Sequence, residues 1–351
     1  MMDLQLTHIQ LPNGRILGRG YPTYIIAEIG SNHDGDLGRA KMLIQKAKQA
    51  GADAAKFQSF QVENLINQTC LTNQHWGPDP AWDALEKLSM PYEWHAALKE
   101  EADHVGIDFI ATPFDIERLH WLIDLGVPAI KIASGDLTYH ELLKEAGKSG
   151  RPLLLATGHA TLSEVDRGLK VLWEVGCKDI VLMHCTSAYP TNVEDSNIRA
   201  MTSMQHSFQA QVGYSDHSPG ITVPIAAVSL GATVIEKHFT DDPARQGPDH
   251  SFAMDFDNFS HMVDQIRQLE KALAGGSKFP QEVEEIERVM ARRAIYANRH
   301  ISQGTKLSRD LVKIVRHNYP EGISADEWNF VCGRSVVKDI EPGELITWRM
   351  V

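Results

Sequence analysis

The chain has 351 residues, 43% hydrophobic and 23% charged, with a formal net charge of −12 at pH 7. That is ordinary globular composition, long enough for one large domain and a smaller one. The acidic balance argues against non-specific nucleic-acid binding and against docking on an anionic membrane, while a local basic pocket can still take a small anion. The opening MMDLQLTHIQLPNGRIL lacks the basic-then-apolar order of a signal peptide. No apolar run approaches the roughly 18 residues of a membrane span, so a cytoplasmic protein is expected. Cys70, Cys177, Cys185 and Cys332 show no C-x-x-C spacing and read as reduced thiols, small apolar residues of the core.

Along the chain, eight short apolar runs alternate with amphipathic helical patterns. The runs are YIIAE from Tyr24, AAKF from Ala54, DFIAT from Asp108, AIKIA from Ala129, LLLAT from Leu153, IVLMHC from Ile180, QVGYS from Gln211 and VIEKHF from Val234. Each has the length of a buried strand. Between them, LGRAKMLIQKAKQAG from Leu37 ends on a capping glycine, Gly51, and YEWHAALKEEADHVG from Tyr92 ends on Gly106. LSEVDRGLKVLWEVG from Leu162 repeats the design, with Ser163 as the expected N-cap. Eight βα units in series predict a closed parallel (β/α)8 TIM barrel rather than an open doubly wound sheet. A helix over 257–273 would complete it. AGGSK and the acidic EVEEIER place a linker at 276–290, between a barrel domain at 1–275 and a compact, mostly β domain at 291–351. The β-like pieces of that domain are AIYANRHI, RSVVKDI and ELITWRM, set between turn signals.

In such a barrel the active site lies at the C-terminal ends of the strands. Those ends carry Glu28 and the following Gly30-Ser31-Asn32-His33, then Lys56 and Gln58, Thr112, Lys131 with Ser134 and Asp136, Thr157, His184 with Ser187 and Tyr189, Ser215 with Asp216 and His217, and finally Glu236 and His238. One polar strand end is compatible with a satisfied core group; eight together favour a shared pocket. His217 and His238 close consecutive strands about 5 Å apart, so the two imidazoles can share a divalent metal acting as a Lewis acid. Glu236 shares a strand face with His238 and could contact the ligand shell or orient a water. Lys56 and Lys131 lie among buried strand residues, where a lysine is costly unless paired. Aimed at one pocket, and joined by the hydroxyls of Ser134 and Ser215, they imply an anionic ligand such as a small phosphate-bearing carboxylate. Two internal ion pairs, or a Schiff-base lysine at Lys131, are the alternatives.

At these residues the sequence resembles the sialic acid (nonulosonate) synthase family over almost its whole length. The resemblance rests on YIIAEIGSN from Tyr24, ATPFD from Ala111, KIASGD from Lys131, HCTSAYP from His184, GYSDHS from Gly213, EKHFT from Glu236 and QGPDH from Gln246. The last segment resembles the antifreeze-like (SAF) domain that follows the barrel in that family. The resemblance implies a manganese- or magnesium-dependent condensation of phosphoenolpyruvate with N-acetylmannosamine or a related aldehyde amino sugar, releasing phosphate. Acceptors leading to pseudaminic or legionaminic acids are the alternatives. His217 and His238 fall on metal ligands, and Lys56, Lys131, Ser134 and Ser215 on phosphoenolpyruvate-binding positions. Glu28, Tyr189 and Asp249 fall on sugar-binding or catalytic positions, with Glu28, Lys131 and Tyr189 expected in the chemistry and Gln58 and Thr112 in substrate binding. Arg316 falls on an arginine that the small domain inserts into the partner's barrel, which implies a domain-swapped homodimer. Asp136 stands where that family commonly has glutamate, Ser187 where it has asparagine, and Ala156, beside Thr157, where it often has serine. The first two lie near the expected sugar position and bear on which sugar is taken.

Overall fold

The computed structural model describes residues 8–67 and 81–351. It divides into two compact units, Met1–Ala274 and Gly275–Val351. In the first, a short antiparallel hairpin, β1 (Ile9–Gln10) and β2 (Ile16–Leu17), precedes eight parallel strands. These are β3 (Tyr24–Gly30), β4 (Ala54–Ser59), β5 (Asp108–Pro113), β6 (Ile130–Ile132), β7 (Leu153–Ala156), β8 (Ile180–His184), β9 (Gln211–Asp216) and β10 (Val234–His238). The hydrogen-bonded order is β5-β4-β3-β10-β9-β8-β7-β6, and β6 packs beside β5, so the sheet curls into a barrel.

Alternation along each strand sends every second side chain inward. The inward residues of the N-terminal half are apolar and form one cluster: Tyr24 and Ile26, Ala54, Ile110, Ala129, Leu154 and Ala156, Val181 and Met183, and Val234. Ile9, Leu11 and Leu17 of the hairpin join this cluster and stop the lower end of the barrel. On β9 the inward position is Gly213, because a Cβ there would lie 2.4 Å from Met183 Sδ and 2.8 Å from the Val234 carbonyl. The outward side chains meet the helices in a second and larger core.

Local signals explain the helices. Asp36 caps Leu37–Gln49 by accepting from the Arg39 amide, and Gly51 (φ +88°) follows its end. Gly106, at φ +73°, terminates Tyr92–Val105 in the left-handed conformation. The helix Leu162–Glu174 is capped by Thr161, not by the expected Ser163: Thr161 and Glu164 form a reciprocal capping box, leaving Ser163 inside the helix. The last barrel helix is Phe256–Ala272, with Asp255 as its cap. No helix among the described residues is long and apolar enough to cross a membrane.

The second unit has its own core, including Ile295, Ile301, Leu307, Ile323, Val336 and Ile346. Its regular sheet is β11 (Arg293–Ala297) paired antiparallel with β12 (Val312–Arg316). The strand over VKIVR was not expected. The segments RSVVKDI and ELITWRM form isolated bridges, such as Ile301 with Ile340 and Tyr296 with Leu345, rather than strands. The acidic stretch expected as linker contains a 3-10 turn at Glu282–Glu284 and runs into a helix over Glu285–Ala291. Cys177 and Cys185 are buried free thiols, Cys332 is an exposed one rather than a core residue, and Cys70 lies outside the described residues.

Candidate active site

In the C-terminal half of the barrel the inward positions turn polar, and there they line a cavity of about 320 Å³. Glu28, Lys56, Gln58, Thr112, Lys131, Ser134, Ser187, Tyr189, Ser215, His217, His238 and Asp249 all contribute to its wall. Asp136 does not; it sits in the 3-10 turn Ser134–Thr138 that follows β6. Arg316 ends β12 in the second unit. Gly30, Ser31, Asn32 and His33 after Glu28 also lie outside the wall, as do Thr157, His184 and Asp216. Thr157 Oγ1 donates to the Met183 carbonyl, His184 Nε2 lies 3.2 Å from the Ser196 carbonyl, and Asp216 caps the turn after β9.

Strand register brings the charged groups together: Glu28 pairs laterally with Lys56 and with His238, and Glu236 with Ser215. Lys56 Nζ lies 2.9 Å from Glu28 Oε2 and 3.5 Å from Glu236 Oε1. Lys131 Nζ donates to both oxygens of Glu236 at 3.0 and 2.9 Å, and Ser215 Oγ donates to the same carboxylate at 3.1 Å. Gln58 Nε2 donates to Glu28 Oε1, and Lys56 Nζ to Thr112 Oγ1. Both lysines are therefore ion-paired in this state, through a buried chain Glu28–Lys56–Glu236–Lys131. Glu236 is its hub.

Burial drives most of the electrostatics. It pushes the Glu28 carboxyl up, against Lys56 and with Glu236. It would also raise Glu236, but Lys131 and Lys56 outweigh it and hold that carboxylate down, so Glu236 stays ionised. For the Lys56 ammonium burial acts downward, and Glu236 and Glu28 overcome it, so the net shift is upward. Asp249 is lifted to about 7 by burial and by Glu28. His217 is lowered by burial, and His238 is lowered well below its ordinary value by burial, His217 and Lys56. Both imidazoles are thus neutral, their ring centroids 5.4 Å apart. His217 Nδ1 lies 3.0 Å from the Thr186 carbonyl, which makes it the N–H donor and leaves Nε2 with its lone pair. Tyr189 and Phe252 pack against the two rings at 4.4 and 4.8 Å.

Sequence reasoning treated Cys185 as a core thiol, yet it lines the cavity with Sγ 3.2 Å from Ser134 Oγ. Its parity with Val181 and Met183 on the inward stripe was the available signal. Phe114, His159 and Pro248 complete the wall from loops, where no periodicity marks them.

Fold and pocket together define a (β/α)8-barrel enzyme with a small β accessory module. The chain belongs to the NeuB family: that family's model matches residues 43–278, and the SAF domain model matches residues 292–351. It is 37% identical to the N,N'-diacetyllegionaminic acid synthase of Legionella pneumophila, across 95% of this chain and 96% of that one. It is 32% identical to the human N-acetylneuraminate-9-phosphate synthase, across 98% and 96% of the two chains. Among solved structures it superposes on the N-acetylneuraminic acid synthetase of Leptospira borgpetersenii with a TM-score of 0.74 and 34% identity, covering 80% of this chain and 95% of that one.

Proposed function

We propose that this chain condenses phosphoenolpyruvate with an N-acylated aldehyde sugar, giving a nine-carbon keto acid of the sialic acid type and inorganic phosphate. The observation that carries this reading is the meeting of two buried lysines and two buried imidazoles in one cavity. A Schiff-base reaction at Lys131 is disfavoured, because that side chain is held in a two-pronged ion pair, the opposite of the isolated apolar setting that frees an amine.

In this reading a carbon–carbon bond forms between C3 of phosphoenolpyruvate and the acceptor's aldehyde carbon as the C2=C3 and aldehyde C=O π bonds open, and the aldehyde oxygen takes up a proton to become a hydroxyl. Water adds at C2, and the C2–oxygen bond to phosphate breaks. Lys56 and Lys131, with Ser134 and Ser215, hold the phosphate and carboxylate and stabilise the departing phosphate. Glu28 accepts the proton of the attacking water, a task that its raised pKa suits. Gln58, Thr112, Ser187, Tyr189 and Asp249 contact the acceptor and fix its orientation; Asp136, behind the wall, acts on specificity through the turn that carries Ser134. Arg316 reaches the acceptor's N-acyl group from the partner subunit of a domain-swapped homodimer.

His217 and His238 fit a divalent ion, manganese or magnesium. Both rings are neutral, the tautomer of His217 is fixed, and Nδ1 of His238 is buried without a hydrogen-bond partner. Among the described residues no cluster of three His, Cys, Asp or Glu is arranged to hold a metal, so substrate or water would fill the remaining positions. When bound, the ion supplies Lewis-acid polarisation of the acceptor's carbonyl oxygen.

The test is phosphate release from phosphoenolpyruvate across a panel of N-acylated hexoses, including N-acetylmannosamine and the 2,4-diacetamido sugars. Stoichiometric phosphate and keto acid with at least one member is expected. No release with any member, in the presence of manganese, sinks the reading.

A further inference from the structure

The β9–β10 ladder stops at the pair Lys237 and Asp216. His217 and His238 lie one residue beyond it and are not themselves a register pair, so the ladder alone does not set the spacing of the two imidazoles. Their backbones are tied elsewhere: Thr191 N–H donates to the His217 carbonyl, Met254 N–H donates to the His238 carbonyl, and His238 registers with Glu28 on β3. None of these contacts joins one histidine to the other. We propose that Lys237 is a positioning residue, acting through Asp216 from the outer face of the barrel to set that spacing.

Alternation along β10 sends Glu236 and His238 into the cavity and Lys237 to the opposite face, where it is 1% exposed. Its ammonium is fully engaged, donating to Asp216 Oδ2 at 2.5 Å, to the Ser218 carbonyl and to the Gly220 carbonyl at 3.3 Å. Asp216 Oδ1 accepts from the amide and hydroxyl of Ser218 at 2.9 and 2.7 Å. The turn containing His217 is thus closed on itself by Asp216 and fastened to β10 by Lys237. Lys237 is next in sequence to His238, so this one side chain couples the turn bearing the first imidazole to the strand bearing the second.

The inference rests on the metal-binding reading of the histidine pair, and its test separates the two. A Lys237→Met/Asp216→Asn double variant removes the ion pair without leaving a buried charge, and asparagine keeps an acceptor for Ser218. Manganese and phosphoenolpyruvate affinities are measured by calorimetric titration of chelator-stripped protein. Manganese affinity should fall roughly 10–100-fold, the usual effect of losing an outer partner of a ligand. Phosphoenolpyruvate affinity should stay within about twofold, as for a separate set of contacts. Unchanged manganese affinity in the folded variant, or a parallel loss for both ligands, overturns the proposal. Should the double variant fail to fold, the isosteric Asp216→Asn replaces it, with several-fold weaker manganese binding expected and unchanged binding again decisive against. Wild-type protein that binds no manganese would overturn the metal reading itself, and this proposal with it.

Discussion

The polar residues lining the barrel mouth were legible because burying lysine, glutamate and histidine on apolar strands demands a reason. What strand composition does not tell is the state of those groups. In the sequence Lys56 and Lys131 are compatible with an anionic ligand or with internal ion pairs, and in the folded protein each is matched by Glu28 or Glu236. An incoming anion therefore competes with internal carboxylates. Lys56→Gln and Lys131→Gln keep a donor toward the carboxylates and lose the charge. A charge-assisted contact to phosphate is worth about 1.5–3 kcal/mol. Steady-state kinetics should accordingly show a KM for phosphoenolpyruvate raised at least about tenfold, with that for the sugar little changed. Unaltered phosphoenolpyruvate kinetics in both variants would reduce these lysines to internal ion-pair partners. Asp136 gives a second residue-scale prediction. Burial lifts its carboxyl to about 6, and Oδ2 has no hydrogen-bond partner. The folded value lies above the unfolded one of roughly 3.9, so the associated stability is complete below that pH and is lost as pH rises toward 6. Asp136→Asn removes the dependence. Its advantage over wild type in chemical denaturation should grow between about pH 4 and pH 7, by on the order of 2 kcal/mol. An advantage independent of pH would contradict this.

At the scale of elements, all eight barrel strands were readable, since each is a short apolar run bounded by helical periodicity. Helix ends were less so: Thr161 and Ser163 are both competent caps, and only the reciprocal bond with Glu164 selects the first. The small unit was the hardest, because its segments touch through single bridges that leave little alternation to detect. VKIVR carries Lys313 and Arg316 three residues apart, on no single strand face, and reads as surface, although β11 pairs with it along its length. Gly213 gives a prediction here. An alanine Cβ would meet the Val234 carbonyl, which belongs to the neighbouring strand and cannot rotate away. Gly213→Ala should therefore destabilise the barrel by about 1–3 kcal/mol or more. The readout is the urea midpoint, and wild-type stability would show that β9 and β10 can part without penalty.

At the scale of the molecule, each unit has a hydrophobic core of its own. A chain ending at Ala274 is expected to fold and to bind phosphoenolpyruvate, because the lysines and serines assigned to that ligand all belong to the barrel. It should make no product if Arg316 is needed for the acceptor. Subunit complementation tests where that arginine acts. Inactive Lys131→Ala and inactive Arg316→Ala chains are mixed to form heterodimers. If the small unit serves its partner, one site carries both lesions and the other none, so up to about half of the heterodimer sites regain activity. If it serves its own barrel, none do. Full activity of the truncated chain, or a monomer at working concentration, would defeat the assembly reading.

The hairpin that stops the lower end of the barrel has a kinetic consequence. With Leu11 and Leu17 packed among the lower strand residues, the described residues leave the upper mouth as the way in and out for the reactants and products of the proposed reaction. Lys131 and Ser215 are each 4% exposed, whereas Tyr189, at the rim, is 42% exposed. The anion assigned to the lysines would thus settle beneath the sugar. An acceptor already in place would bar its path. Initial-velocity and dead-end inhibition patterns should then report a compulsory order, phosphoenolpyruvate first and sugar second, while a random order would mean that the two ligands pass each other at the mouth.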